Sequence, residues 1–149
     1  MEILKHSRRI KELLDLKEDL VILIGDSGRQ YIEQHKKDNK PQNGAYTYWN
    51  NTIAIIDEKL VGTLAHEMRH AYQYENKERY GYKFSRKTQV IVNWREVVKY
   101  IASAKERDAN LFALKYLIKN TKNYLHILKY IFKCLDGYFS LCVVKCLKL

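Results

Sequence analysis

Three short runs of strand-forming residues lie between residues 20 and 56 of this chain. Leu20–Ile24 is an apolar, β-branched run that ends at Gly25-Asp26, and it predicts a buried strand. Residues 44–48 and 53–56 lie on either side of an Asn-rich connection, which predicts a β-hairpin. Elsewhere the apolar residues recur at helical spacing. The chain is therefore expected to be α+β, with its sheet in the N-terminal half.

Helical periodicity and turn residues divide the rest of the chain, and its 149 residues fit one domain. The segments predicted in chain order are an amphipathic helix over residues 2–16, a loop over 25–43 with room for a short helix near Tyr31, a helix from an Asp57 N-cap to about Tyr74, a loop over 75–88, one or two helices between Val90 and Asn120, and a packed helical extension over 125–149. For that extension, a helix that binds a membrane surface or a partner is the alternative.

Basic residues outnumber acidic ones by 27 to 17, which gives a net charge of +10. That charge allows contact with nucleic acid, an anionic membrane or an acidic protein, but the lysines are spread along the chain and a solvated surface is favoured. Cys134, Cys142 and Cys146 form no CxxC pair, so neither a disulfide framework nor a thiolate zinc site is expected. The N-terminus lacks the apolar core of a signal peptide, and a cytoplasmic location is predicted.

The helix that follows the hairpin contains the sequence His66-Glu67-Met68-Arg69-His70. Histidines four residues apart lie one turn apart on the same helix face, with their Cβ atoms about 5–6 Å apart. Two such imidazoles can bind one zinc ion at about 2.0–2.1 Å. Glu67 lies about 100° around the helix, where it can act as a general base on water at the metal. This spacing predicts a catalytic Zn²⁺ site.

The alternative is an ordinary helix whose histidines are surface residues or satisfied core residues. An apolar stripe beside the histidines weighs against it, because such a stripe would bury the helix and leave the histidines facing a cleft. The stripe consists of Leu60, Leu64, Met68 and Ala71.

A catalytic zinc ion needs a third protein ligand, and Glu106 is the candidate. Asn110 lies four residues later on the same predicted helix, where it can hydrogen-bond a ligating histidine. Asp108 points about 200° away from Glu106 around that helix. Since Lys105 and Arg107 flank Glu106, a surface carboxylate is the better interpretation on spacing alone. The presence of two other ligands reverses that preference.

Two segments together resemble a known family. Thr63-Leu64-Ala65-His66-Glu67-Met68-Arg69-His70-Ala71, followed by Glu106-Arg107-Asp108-Ala109-Asn110-Leu111-Phe112-Ala113, resembles the zincin metallopeptidases with a glutamate third ligand, the gluzincins. Within them the chain is most similar to the small ImmA/IrrE-type proteins, over about residues 44–118. The resemblance implies a zincin-like fold, in which a small twisted antiparallel or mixed sheet carries the active-site helix, with C-terminal helices. Zincins of the SprT type use a histidine as third ligand, and the only downstream histidine here is His126.

The function expected from these residues is zinc-dependent hydrolysis of a protein or peptide substrate, with Glu67 as general base and His66, His70 and Glu106 as ligands. The resemblance further implies a regulatory role and a regulatory protein partner. Two alternatives stay open: a catalytically silent zinc-binding module, and a basic protein associated with nucleic acid. Four tyrosines lie near the motif, but none is assigned a catalytic role: Tyr72, Tyr74, Tyr80 and Tyr82.

Overall fold

The computed structural model describes residues 2–35, 42–81 and 93–147. The chain divides into two compact units, Met1–Thr88 and Gln89–Leu149. In the described residues the first unit holds a three-stranded mixed sheet with four helices, and the second holds three helices. The predicted α+β class and the N-terminal position of the sheet are therefore confirmed.

The sheet consists of β1 (Val21–Ile24), β2 (Gly44–Thr47) and β3 (Thr52–Ile55), in the order β1-β3-β2. β2 and β3 pair antiparallel, which confirms the hairpin, and β1 pairs parallel to β3. The central strand β3 is buried at every position. The prediction of a buried first strand is wrong, because β1 is at an edge of the sheet and Val21 is 52% exposed.

Helices α1 (Glu2–Leu14) and α2 (Asp26–His35) are the first two helices of this unit. α1 packs on the third helix and buries Ile3, Ile10 and Leu14. α2 occupies most of a segment predicted as loop, and Gly28 gives the reason. A Cβ at Gly28 would collide with the carbonyl oxygen of Ile55 and lie 2.8 Å from that of Leu23. This glycine therefore permits close packing of a helix on the sheet rather than a turn.

The third helix, α3, covers Val61–Glu75 and contacts β2 and β3. It begins later than predicted, and its N-cap residue Leu60 makes no side-chain cap. Asp57 instead stabilises the turn before the helix, since its Oδ1 accepts from the backbone N–H of Lys59 at 2.8 Å. The short helix α4 (Lys77–Tyr80) replaces the first part of the loop predicted over 75–88. Residues 82–88 lie outside the described ranges.

The second unit contains α5 (Trp94–Ala102), α6 (Ala104–Asn120) and α7 (Tyr124–Leu147). The segment predicted as one or two helices is thus two, in the part that is described. Asn93 caps α5 by accepting from the backbone N–H of Glu96 at 3.1 Å. α7 packs against both α5 and α6, which confirms a packed C-terminal helix. None of the helices in the described residues combines the length and apolar character needed to cross a bilayer.

Candidate metal centre

Helix α3 places His66 and His70 in the interior of the protein. Leu64 and Met68, from the apolar stripe identified in the sequence, are completely buried and fix the rotation of the helix about its axis. His66 and His70 are each only 8% exposed. The histidines are thus more enclosed than side chains that face an open cleft.

The two imidazole rings present the same nitrogen to each other. His66 Nε2 and His70 Nε2 lie 3.0 Å apart, and the ring planes meet at 89°. Two nitrogens bound tetrahedrally to one zinc ion at about 2.1 Å would be about 3.4 Å apart. A small opening of the pair therefore brings both nitrogens to ligand distance. The spacing of four residues brings these two predicted ligands together.

Gln73 selects the tautomer of the neutral His70 ring, and the sequence reasoning missed this residue. His70 Nδ1 lies 2.8 Å from Gln73 Oε1, and Gln73 is fully buried. An amide oxygen can only accept, so Nδ1 carries the hydrogen and Nε2 of the neutral ring keeps its lone pair. The sequence signal was available, because residues 70 and 73 are three apart on one helix and share a face. This is the support that a ligating histidine normally receives from a neighbouring acceptor.

Glu67 is also buried, with 9% of its surface exposed. Arg69, the basic residue inside the motif, contacts aromatic side chains. Its guanidinium lies 4.6 Å from the ring centre of Tyr72, and it donates to the hydroxyl of Tyr80 at 3.4 Å. The basic side chain inside the motif is therefore engaged by aromatic residues of α3 and α4.

Glu106 lies in the first turn of α6 and is 6% exposed. The alternative of a surface carboxylate is therefore wrong for this residue. Ser103 caps the helix by accepting from the backbone N–H of Glu106 at 3.3 Å. In a capping box the carboxylate at this position would accept from the backbone N–H of Ser103. That N–H instead donates to the carbonyl of Tyr100 at 3.0 Å, so helix capping does not require the Glu106 carboxylate.

His66 and His70 lie on α3 of the first unit, Glu106 lies on α6 of the second, and all three residues are buried. Two imidazole nitrogens and one carboxylate oxygen form a donor set that zinc favours at catalytic sites. In its donor types and its burial the set fits a zinc ion.

Asn110 follows Glu106 by one turn of α6 and is 7% exposed. Its Oδ1 is buried, and within the described ranges it has no hydrogen-bond partner. A buried amide oxygen without a donor costs about 1–3 kcal/mol. The predicted hydrogen bond from Asn110 to a ligating histidine stays a prediction.

The tyrosines near the motif take part in aromatic packing. Tyr74 lies between the rings of Tyr46 and Tyr48, at centroid distances of 6.4 and 5.1 Å. Burial, followed by the negative charge of Glu18, raises the pKa of Tyr46 well above its usual value. Tyr46 is therefore a neutral packing residue near pH 7. Tyr72 packs on Tyr80 at 6.2 Å, while Tyr82 lies outside the described ranges.

In comparisons with known proteins, the chain matches no family model, no curated protein and no solved structure. Its resemblance to zincins therefore depends on the two short segments that carry it.

Proposed function

We propose that this protein is a zinc-dependent peptidase in which His66, His70 and Glu106 hold the metal and Glu67 is the general base. One observation carries the proposal. The buried imidazoles of His66 and His70 lie on one helix with their Nε2 atoms 3.0 Å apart. The hydrogen bond to Gln73 favours the His70 tautomer whose Nε2 lone pair can bind a metal. The position of a buried glutamate directly after the first histidine is what favours catalysis over a purely structural zinc site.

The donor count supports a catalytic metal. Three protein ligands leave one position of a tetrahedral ion open, whereas structural sites are usually closed by four. Zinc held in this way would lower the pKa of a water and polarise a scissile carbonyl. The Glu67 carboxylate would accept the water proton and pass it to the leaving amine. The Gln73 amide would keep the His70 ring oriented throughout, because it is bonded to the nitrogen that does not face His66.

The first experiment measures metal content. Protein purified without chelators is expected to contain one zinc ion per chain by elemental analysis. His66→Ala, His70→Ala and Glu106→Ala should each lose zinc when dialysed under conditions in which the wild type keeps it. An exposed glutamate provides the matched control, and Glu58→Gln should keep its zinc. Wild-type protein that carries no zinc and refuses added zinc, cobalt and manganese would contradict the proposal.

The second experiment separates catalysis from metal binding. Glu67→Gln should keep stoichiometric zinc but cleave a denatured protein substrate about 10²- to 10⁴-fold more slowly, because it lacks a general base. Cleavage is measured by mass spectrometry of the released peptides, with Glu58→Gln again as control. If the wild type binds zinc but cleaves none of a broad peptide library, the chain is a silent zinc-binding module. If Glu67→Gln cleaves as fast as the wild type, another residue is the base.

A further inference from the structure

Helix α7 carries a row of exposed apolar residues at alternating steps of three and four. Leu125, Leu128, Phe132, Leu135 and Phe139 are between 49 and 79% exposed. Cys142 and Cys146 continue the same spacing and are also exposed. Alternating steps of three and four are the a and d positions of a heptad repeat, the pattern by which two helices pack in a coiled coil. We call these seven residues the α7 seam.

The opposite side of α7 is already covered by its own unit. Tyr130, Gly137 and Ser140 are buried, and α7 packs on α5 and α6. A Cβ added at Gly137 would lie 3.0 Å from Arg107 Cγ, so these helices are in close contact. A helix that is apolar all round is normally buried all round. The α7 seam therefore belongs to the face of this helix that the described residues leave exposed.

The charges beside the seam favour a second copy of α7 in antiparallel orientation. With a and d positions in register, Phe132 packs against the partner's Leu135, and Leu128 packs against the partner's Phe139. Lys129 then lies beside the partner's Asp136, displaced by about 3 Å along the axis at 1.5 Å per residue. The pair occurs twice by symmetry. In parallel orientation Lys129 would face Tyr124 and Asp136 would face Ile131, and no charge would meet its opposite.

We propose that the protein forms a homodimer through an antiparallel coiled coil of α7, closed by the seam and two Lys129–Asp136 pairs. Self-pairing explains the exposed row and its flanking charges with residues of this chain alone. The proposal is independent of the metal site, because none of these residues belongs to it.

Sedimentation velocity on the full chain tests the dimer. Wild type is expected at twice 17.8 kDa. Phe132→Glu should weaken the dimer on the order of a hundredfold, because it places two carboxylates at the centre of the seam. Leu13→Glu is the matched control, since Leu13 is 61% exposed on α1 against 62% for Phe132. Circular dichroism should show both variants folded, and only the first should be monomeric.

Charge reversal and cross-linking test the orientation. Lys129→Asp should weaken the dimer on the order of tenfold, and the double variant Lys129→Asp, Asp136→Lys should restore it. Leu125→Cys should form a covalent dimer with the partner's Cys142 under mild oxidation. Wild type should not, because only parallel helices would bring Cys142 beside Cys142 of the partner subunit.

Three outcomes overturn the proposal: the wild type is a monomer at every concentration, the dimer survives Phe132→Glu, or the reversed pair fails to restore it. If the wild type is a monomer that sediments with phosphatidylserine vesicles, and Phe132→Glu abolishes that sedimentation, the seam is a membrane-binding face instead.

Discussion

Replacing Gln73 with leucine removes the acceptor of the His70 hydrogen bond while keeping a buried side chain of similar size. His70 Nδ1 lies 2.8 Å from Gln73 Oε1 in a site where Gln73 is fully buried. Without that acceptor, His70 can adopt the other tautomer, whose Nε2 carries a hydrogen and cannot bind a metal. The ring can also turn about its χ2 axis. We therefore expect Gln73→Leu to weaken zinc binding without removing any ligand.

The expected size follows from the bond that is lost. Partners of this kind contribute about 10- to 100-fold to metal affinity, which corresponds to about 1.4–2.7 kcal/mol. A buried Nδ1–H left without an acceptor costs about 1–3 kcal/mol, so the zinc-free protein should also lose part of its free energy of unfolding. Gln73→Glu keeps an acceptor oxygen at the same distance along the side chain. Its zinc affinity should be at least that of the wild type.

The assay is competition for zinc with a chromophoric chelator, supported by urea unfolding of the zinc-free proteins. A double-mutant cycle with His70→Ala isolates the effect. Once His70 is absent, Gln73→Leu should cause no further loss of zinc affinity, because the group that it supports is gone. If folded Gln73→Leu binds zinc as tightly as the wild type, or weakens it equally when His70 is absent, the positioning role of Gln73 is refuted.

Three further predictions concern stability. Gly28→Ala should lower the free energy of unfolding by about 1–3 kcal/mol in urea titrations, because the added Cβ would meet backbone oxygens. Gly25→Ala is the control: the space around it is open, so it should show only the backbone cost of φ +70°, about 1–2 kcal/mol. Ser103→Ala should cost about 1 kcal/mol by the same measurement and also weaken zinc binding, since it loosens the turn that holds Glu106. Burial lowers the pKa of His6 from its usual 6.5, so the folded protein favours the neutral ring. The free energy of unfolding should therefore decrease as the pH falls below 6.5. His6→Gln should make the free energy of unfolding less dependent on pH across that range.

The α+β class and the hairpin could be predicted because both depend on local patterns. Strand-forming runs and an Asn-rich connection specify β2 and β3 without reference to the rest of the chain. The full extent of helix α2 (Asp26–His35) could not be predicted in this way, since the sequence indicated only room for a short helix near Tyr31. A glycine such as Gly28 is typical of a loop, and only the packed structure shows the carbonyl of Ile55 that excludes a side chain there. The position of β1 at the sheet edge is likewise a property of strand order, which local sequence does not encode.

The candidate site shows the same division. His66 and His70 could be predicted because helical spacing alone brings them together. The burial of Glu106 could not be derived from its neighbours Lys105 and Arg107, which indicated a surface position. The Asp57 cap failed for a related reason, since an aspartate can stabilise a turn as well as a helix start, and the choice depends on the residues that follow.

One helix supplies both nitrogen donors and the group that orients one of them, at steps of four and three residues. The three side chains therefore lie on one helix, and the regular geometry of that helix fixes their relative positions. Loss of His70 removes a ligand and leaves the buried Gln73 amide without its imidazole partner, whereas loss of Glu106 removes one oxygen donor and leaves the histidine pair intact. We therefore expect His70→Ala to weaken zinc binding more than Glu106→Ala does. Equal losses of zinc affinity in the two variants would contradict this expectation.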